Sequence, residues 1–127
     1  MPERRVREHP RYYALGPDGR TPVPRADLFS WAALLEDAEK RRVALTRLDR
    51  GVEVSTVFLG IDHRFWDDGP PLLFETMTFA GKNARRLHGR MRRYSTWEEA
   101  EAGHRRVVAL ARRYLRRFGA RGTGAGA

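Results

Sequence analysis

Apolar and polar residues alternate along three short runs near the middle of the chain. In two longer stretches on either side, apolar residues recur every three to four positions. The first alternating run is Arg42-Val-Ala-Leu-Thr-Arg-Leu48, closed by Asp49-Arg-Gly51. The second opens on Val52-Glu-Val-Ser-Thr-Val-Phe58 and the third on Leu72-Leu-Phe-Glu-Thr-Met-Thr-Phe79, with the turn formers of His63 to Gly69 between them. A period of two in β-branched and aromatic residues, bounded by turn chemistry, predicts strands over 42–48, 52–61 and 72–79. Short connections make adjacent antiparallel pairing the default, so the three form a meander.

The helical stretches are 27–39 and 96–118. In the first, Asp27 stands as N-cap, and Leu28, Trp31, Ala32, Leu35 and Ala38 form a stripe broadened by Phe29 and Leu34, which predicts a helix laid over one sheet face. In the second, Trp97, Ala100, His104, Val107, Val108, Ala111, Tyr114, Leu115 and Phe118 share one stripe. Ser95 and Glu98 have capping-box spacing, Glu101 can meet Arg105 one turn on, and Gly119 is the expected stop. Glutamates near its start and arginines near its end complement the helix dipole.

Around these elements, Gly16-Pro-Asp-Gly19 predicts the turn of a small hairpin whose second arm, with Pro22 and Pro24, belongs at an edge. Residues 80–91 have no sustained period and read as a loop, and Arg92-Arg-Tyr94 as a short edge strand beside 72–79. The whole predicts one α+β domain over 1–118: an antiparallel sheet of four to five strands against two helices, with a flexible arm at 1–10 and a disordered tail at 119–127.

Composition changes this picture in two ways. First, there are no cysteines, no apolar run near the roughly 20 residues of a membrane span, and no apolar stretch after the first charges. Disulfides and thiolate metal sites are thereby excluded, and a cytoplasmic protein with no membrane partner is expected. Second, the formal charge of +9 is unevenly spread. Residues 1–81 hold 12 basic and 13 acidic side chains, whereas residues 82–127 hold 13 basic and 3 acidic ones. A basic half of this kind points to nucleic acid or another anionic partner. The candidate contacts are Lys82, Arg85, Arg86, Arg90, Arg92 and Arg93 before the last helix, and Arg105, Arg112 and Arg116 on it. Tyr94 is placed to stack on a base.

Catalytic chemistry has fewer candidates. Asp62 and His63, with Asp67 and Asp68 in the same loop, carry the residue types that hold a divalent metal for phosphodiester cleavage, but in no known ligand spacing, so neither a metal nor a cofactor is expected. Glu75 alternates with Leu73, Met77 and Phe79, and a carboxylate on such a face needs a partner, for which Arg42 and Arg47 are the candidates. His104, on the apolar stripe, reads as a satisfied core histidine rather than a ligand.

Two runs, Val54-Ser-Thr-Val-Phe-Leu-Gly-Ile-Asp-His63 continuing into Gly69-Pro-Pro-Leu-Leu-Phe-Glu-Thr-Met77, and Arg93-Tyr-Ser-Thr-Trp-Glu-Glu-Ala-Glu-Ala-Gly-His104, resemble a family of small uncharacterised proteins from phages, prophages and bacterial genomes. The resemblance covers about residues 11–115 and implies no particular activity. The chain departs from it in Arg64-Phe-Trp-Asp-Asp68, where relatives look glycine-rich, and in the strongly basic 80–92. The expected function is a non-catalytic phage-type accessory protein that contacts nucleic acid or a nucleoprotein complex through its basic half. The alternatives are a protein-binding modulator or inhibitor of host defence or transcription, and a metal-dependent nuclease.

Overall fold

The computed structural model describes residues 11–24, 28–66 and 68–124. Two strands come first, β1 (Tyr13–Leu15) and β2 (Pro22–Pro24), then helix α1 (Leu28–Glu36) and the single-turn α2 (Ala38–Arg41). Four strands follow: β3 (Arg42–Arg47), β4 (Glu53–Phe58), β5 (Phe74–Phe79) and β6 (Met91–Tyr94). The chain closes on the long helix α3 (Trp97–Gly124). The expected α+β class is what is found: β3-β4-β5-β6 form one antiparallel sheet in sequence order, and β1-β2 form a separate hairpin. Asp18 builds the hairpin turn by accepting from the Thr21 hydroxyl and from the Thr21 and Arg20 amides, which lowers its pKa to about 2.

The sheet register shows why α3 lies where it does. Residues facing each other across antiparallel strands point to the same side. Val54 opposes Thr78, Thr56 opposes Thr76, and Phe58 opposes Phe74, which in turn opposes Tyr94. All of these are buried, and α3 covers them with Ala100, His104, Val108, Ala111 and Leu115. The opposite side carries Ser55, Val57, Glu75, Met77 and Arg93, all only partly buried.

Beneath α3 the apolar core is divided in two. One cluster joins Val52 and Val54 to Ala84, Leu87, Val108, Ala111 and Leu115. The other joins Tyr13, Phe58, Leu73, Phe74, Tyr94 and Ala100. The polar residues Thr56, Thr76 and His104 lie between them on β4, β5 and α3, each two residues along a strand or one helical turn from apolar neighbours.

Several expectations are corrected. The stretch 27–39 is not one helix: α1 ends at Glu36, and Asp37 caps a new turn by accepting from the Lys40 amide. An acceptor side chain that satisfies a free N–H competes with continuation of the helix. α1 packs chiefly beside β1 and α2 rather than across the sheet, and Phe29 is exposed instead of joining the stripe. The Trp31 indole donates to the Gly60 carbonyl, just past β4, at 2.8 Å. The N-cap assigned to Asp27 lies outside the described residues.

The capping box of α3 is one residue later than read. Thr96 Oγ1 accepts from the Glu99 amide at 3.1 Å and donates to Glu99 Oε1. Both S-x-x-E and T-x-x-E fit Ser95-Thr-Trp-Glu-Glu99, and packing selects the second because it turns Trp97 toward Phe74 and buries Ala100 completely. Glu101 meets Trp97 Nε1 and Arg20 rather than Arg105, tying the hairpin to the start of α3. The helix also passes Gly119 and runs to Gly124, so 119–124 are helical where a disordered tail was expected. Ala120 and Arg121 are good helix formers, which offsets part of the roughly 1 kcal/mol cost of each interior glycine. The arm at 1–10 and the tail residues 125–127 are outside the described residues. Finally, 80–91 is no featureless loop: Lys82–Leu87 form two 3-10 turns that bury Ala84 and Leu87.

Candidate functional site

Among the described residues the catalytic candidates are not gathered into a metal-holding group. Asp62 is buried and serves its own loop, where Oδ1 accepts from the Arg64 amide at 2.8 Å and the Leu72 amide at 2.9 Å. His63 turns Nδ1 to the Ile61 carbonyl at 2.9 Å. Asp68 is exposed, and Asp67 lies outside the described residues. Glu75 is elsewhere, with Oε2 accepting from Arg93 Nε at 3.0 Å. That partner corrects the expectation of Arg42 or Arg47. Both of those are on β3, which pairs with β4 and not with β5, whereas Arg93 stands directly opposite Glu75 in the β5–β6 register. Among the described residues no group of three histidines or acids is close enough to hold a metal ion.

His104 is satisfied, as its place on the stripe suggested. Nε2 is 2.8 Å from the Thr46 hydroxyl, Nδ1 is 2.7 Å from that of Thr56, and Thr56 continues to Thr76 at 2.5 Å. Desolvation, and secondarily the charge of Arg105, lower the imidazole pKa from its ordinary value. A neutral ring fits the chain of hydroxyls, since one nitrogen donates, the other accepts, and each hydroxyl passes the polarity on.

The basic residues divide into groups that the sequence ran together. Lys82, Arg85 and Arg86 are exposed on the 3-10 turns before β6. Arg90 and Arg92 stand on one bank of a groove of about 490 Å³, and Arg113 and Arg117 on the other. The floor between them is apolar and includes Leu87, Val107 and Tyr114. Arg112 and Arg116 are on the other flank of α3, beside a second groove of about 340 Å³ that also contains Asp49. Arg105 is exposed. Arg93 leaves the group, because a one-residue step along β6 sends it to the opposite face, onto Glu75. Tyr94 is buried in the core and so cannot stack on a base.

Reading the sequence for charge alone missed the groove. Its apolar wall includes Met91 and Leu110, which are 45% and 54% exposed. One signal was present: Leu110 is apolar yet falls off the buried stripe of α3.

Comparison of the chain with protein-family models, with curated proteins and with solved structures gives no match in any of the three. Among the described residues no helix is long and apolar enough to cross a membrane.

Proposed function

We propose that this is a non-catalytic phage-type accessory protein that contacts nucleic acid, free or within a nucleoprotein complex, through the arginine-rich surface of its C-terminal half. One observation carries the reading. Lys82, Arg85, Arg86, Arg92, Arg105, Arg112 and Arg116 are all exposed, and among the described residues none forms an ion pair. Unpaired guanidinium groups match phosphates in shape and charge. The phage-type setting rests only on the resemblance of residues 54–77 and 93–104.

Binding through these groups must weaken steeply with salt, because phosphate contacts release condensed counterions. Three to five contacts on duplex DNA give a log–log slope of roughly −3 to −5. Changing Lys82, Arg85, Arg86 and Arg92 together to Gln is expected to flatten that slope and leave the fold intact, since exposed unpaired charges contribute little to stability. Fluorescence anisotropy over a salt series checks this. Micromolar protein that binds neither duplex nor single strand at low salt rules the reading out.

A protein partner is the second reading, and the apolar groove is the observation that favours it. The nuclease reading loses support because Asp62 and Glu75 are committed to other partners. No hydrolysis of DNA or RNA is expected with magnesium, manganese or zinc. Metal-dependent cleavage abolished by His63→Gln or Asp68→Asn would restore the nuclease. Those positions are the ones to change, because Asp62→Asn would disturb the loop itself.

A further inference from the structure

The groove between β6 and the second half of α3 has features the nucleic-acid reading does not use. It follows α3 from Val107 to Phe118, which at 1.5 Å per residue is about 16 Å, or three helical turns. Leu110 and Phe118, 54% and 49% exposed, line it from α3, and Met91, 45% exposed, lines its β6 edge. Exposed apolar groups gathered in one concave place mark a binding surface, whereas the same groups scattered would mean nothing. Four arginines flank this apolar track, two on each bank, and no acidic side chain lines it.

The chemistry of the lining separates the candidate ligands. The groove offers apolar carbon, aliphatic from Leu87, Met91, Val107 and Leu110 and aromatic from Tyr114 and Phe118, together with guanidinium donors, and its side chains include no carboxylate or amide acceptor. A nucleic-acid base carries ring and exocyclic groups that call for mixed donors and acceptors, and it gains most from flat aromatic faces. Leu110 and Met91 are poor partners for it, and the two rings present, Tyr114 and Phe118, pack on each other with centroids 4.8 Å apart, with Arg117 over the Phe118 ring. A single acyl anion has its charge at one end, which leaves the arginines of one bank unanswered. A ligand with an apolar stripe and carboxylates along both edges answers all of them.

We infer that this groove is a docking site for an acidic amphipathic helix of a partner protein, whose apolar residues fill the floor while its carboxylates meet Arg90 and Arg92 on one side and Arg113 and Arg117 on the other. Helix-in-groove recognition places anchors at i, i+3 or i+4 and i+7, a span that the groove's length accommodates. Charge complementarity assigns the partner's sign. Half-exposed Met and Leu side chains are adaptable packing partners for the anchors. Apart from the shared Arg92, the inference is separate from nucleic-acid binding, which uses the exposed cations of the 3-10 turns and those of α3 outside the groove.

The test uses the full chain and two labelled synthetic peptides of one composition. One has Leu and Phe on a single helical face and Glu elsewhere, and the other has the same residues shuffled so that no face is apolar. Anisotropy should show the striped peptide binding and the shuffled one at least tenfold weaker. Leu110→Gln with Phe118→Gln should weaken the striped peptide by about tenfold or more, since two apolar contacts are lost. Arg113→Gln with Arg117→Gln should weaken it and reduce its salt dependence, while Arg112→Gln with Arg116→Gln on the far flank should leave it unchanged. Circular dichroism of each variant guards against unfolding. Equal binding of both peptides would reduce the site to bulk charge and overturn the inference, as would wild-type affinity in the Leu110/Phe118 variant. An oligonucleotide whose binding falls in that variant while neither peptide binds would reassign the groove to nucleic acid. A dimer in sedimentation that the same variant dissociates would reassign it to a second copy of the chain. Failure of every oligonucleotide to bind, with the striped peptide binding as described, would remove the nucleic-acid reading and leave this inference standing.

Discussion

Gly103→Val is expected to lower the stability of the fold by about 3 kcal/mol, at the upper end of the range for overpacking a close-packed interior. The position faces the ring of Tyr94: a Cβ built on Gly103 would lie 2.2 Å from Tyr94 Cζ and 2.2 Å from its hydroxyl oxygen. Contacts between carbon atoms settle at roughly 3.5–4.0 Å, so either the ring or the helix must move. The ring has little room, being buried against Phe58, Phe74 and Ala100. Glycine inside a helix costs about 1 kcal/mol relative to alanine, which here is the condition for letting β6 and α3 approach. Thermal unfolding of the single variant, of Tyr94→Leu and of the double variant checks the mechanism. The double variant should be more stable than the sum of the two singles predicts, because the smaller side chain makes room for the valine. Tyr94→Phe is the companion control. The Tyr94 hydroxyl is buried and finds no hydrogen-bond partner among the described residues, so its removal should leave stability unchanged or raise it. A valine variant that melts with the wild type would mean the ring is free to swing away.

His104→Ala is expected to cost about 3 kcal/mol. It leaves a cavity beneath α3 and strips partners from Thr46 and Thr56, and both terms are destabilising. The effect also carries a pH signature. The folded state lowers the His104 pKa, so between that lowered value and the ordinary 6.5 the unfolded chain binds the proton and the folded one does not. Stability from this group is therefore full above about pH 6.5 and declines as the pH falls below it. Urea unfolding from pH 7.5 to 5 should show the wild type losing stability on acidification, and His104→Gln, already less stable, losing less. Every other ionisable group is common to both proteins, so the difference between the two curves isolates His104. Parallel curves would mean that the imidazole is as readily protonated inside the fold as outside.

His104 also shows how far a sequence can be followed. Its position on the apolar stripe was enough to place it in the core, because a helical period of 3.6 leaves no other face for it. Its partners were not legible. Thr46, Thr56 and Thr76 each look like an ordinary strand threonine, and only the pairing of three strands under one helix turns them into a chain. Glu75 teaches the same lesson from the other side. The need for a cationic partner followed from its alternation with apolar residues, but the choice of Arg93 required the strand order. The groove was the least visible. It is made from β6, the 3-10 turns and α3, whose charges lie in one continuous basic stretch of sequence yet diverge to two faces of the sheet and two flanks of a helix.

The sequence by itself determined the kinds of elements and most of their order. Periods of two and 3.6, turn residues and caps act within a few residues of one another, so they survive when everything distant is ignored. Hence the meander, the edge strand, the long helix and the α+β class were all readable. The tertiary structure alone decided the break at Asp37, the one-residue shift of the cap to Thr96, the need for a side chain no larger than hydrogen at Gly103, and which arginines share a surface. Each of these is settled by atoms far apart in the chain competing for the same space or the same hydrogen bond, and their free energies exist only once the sheet and the helix have met.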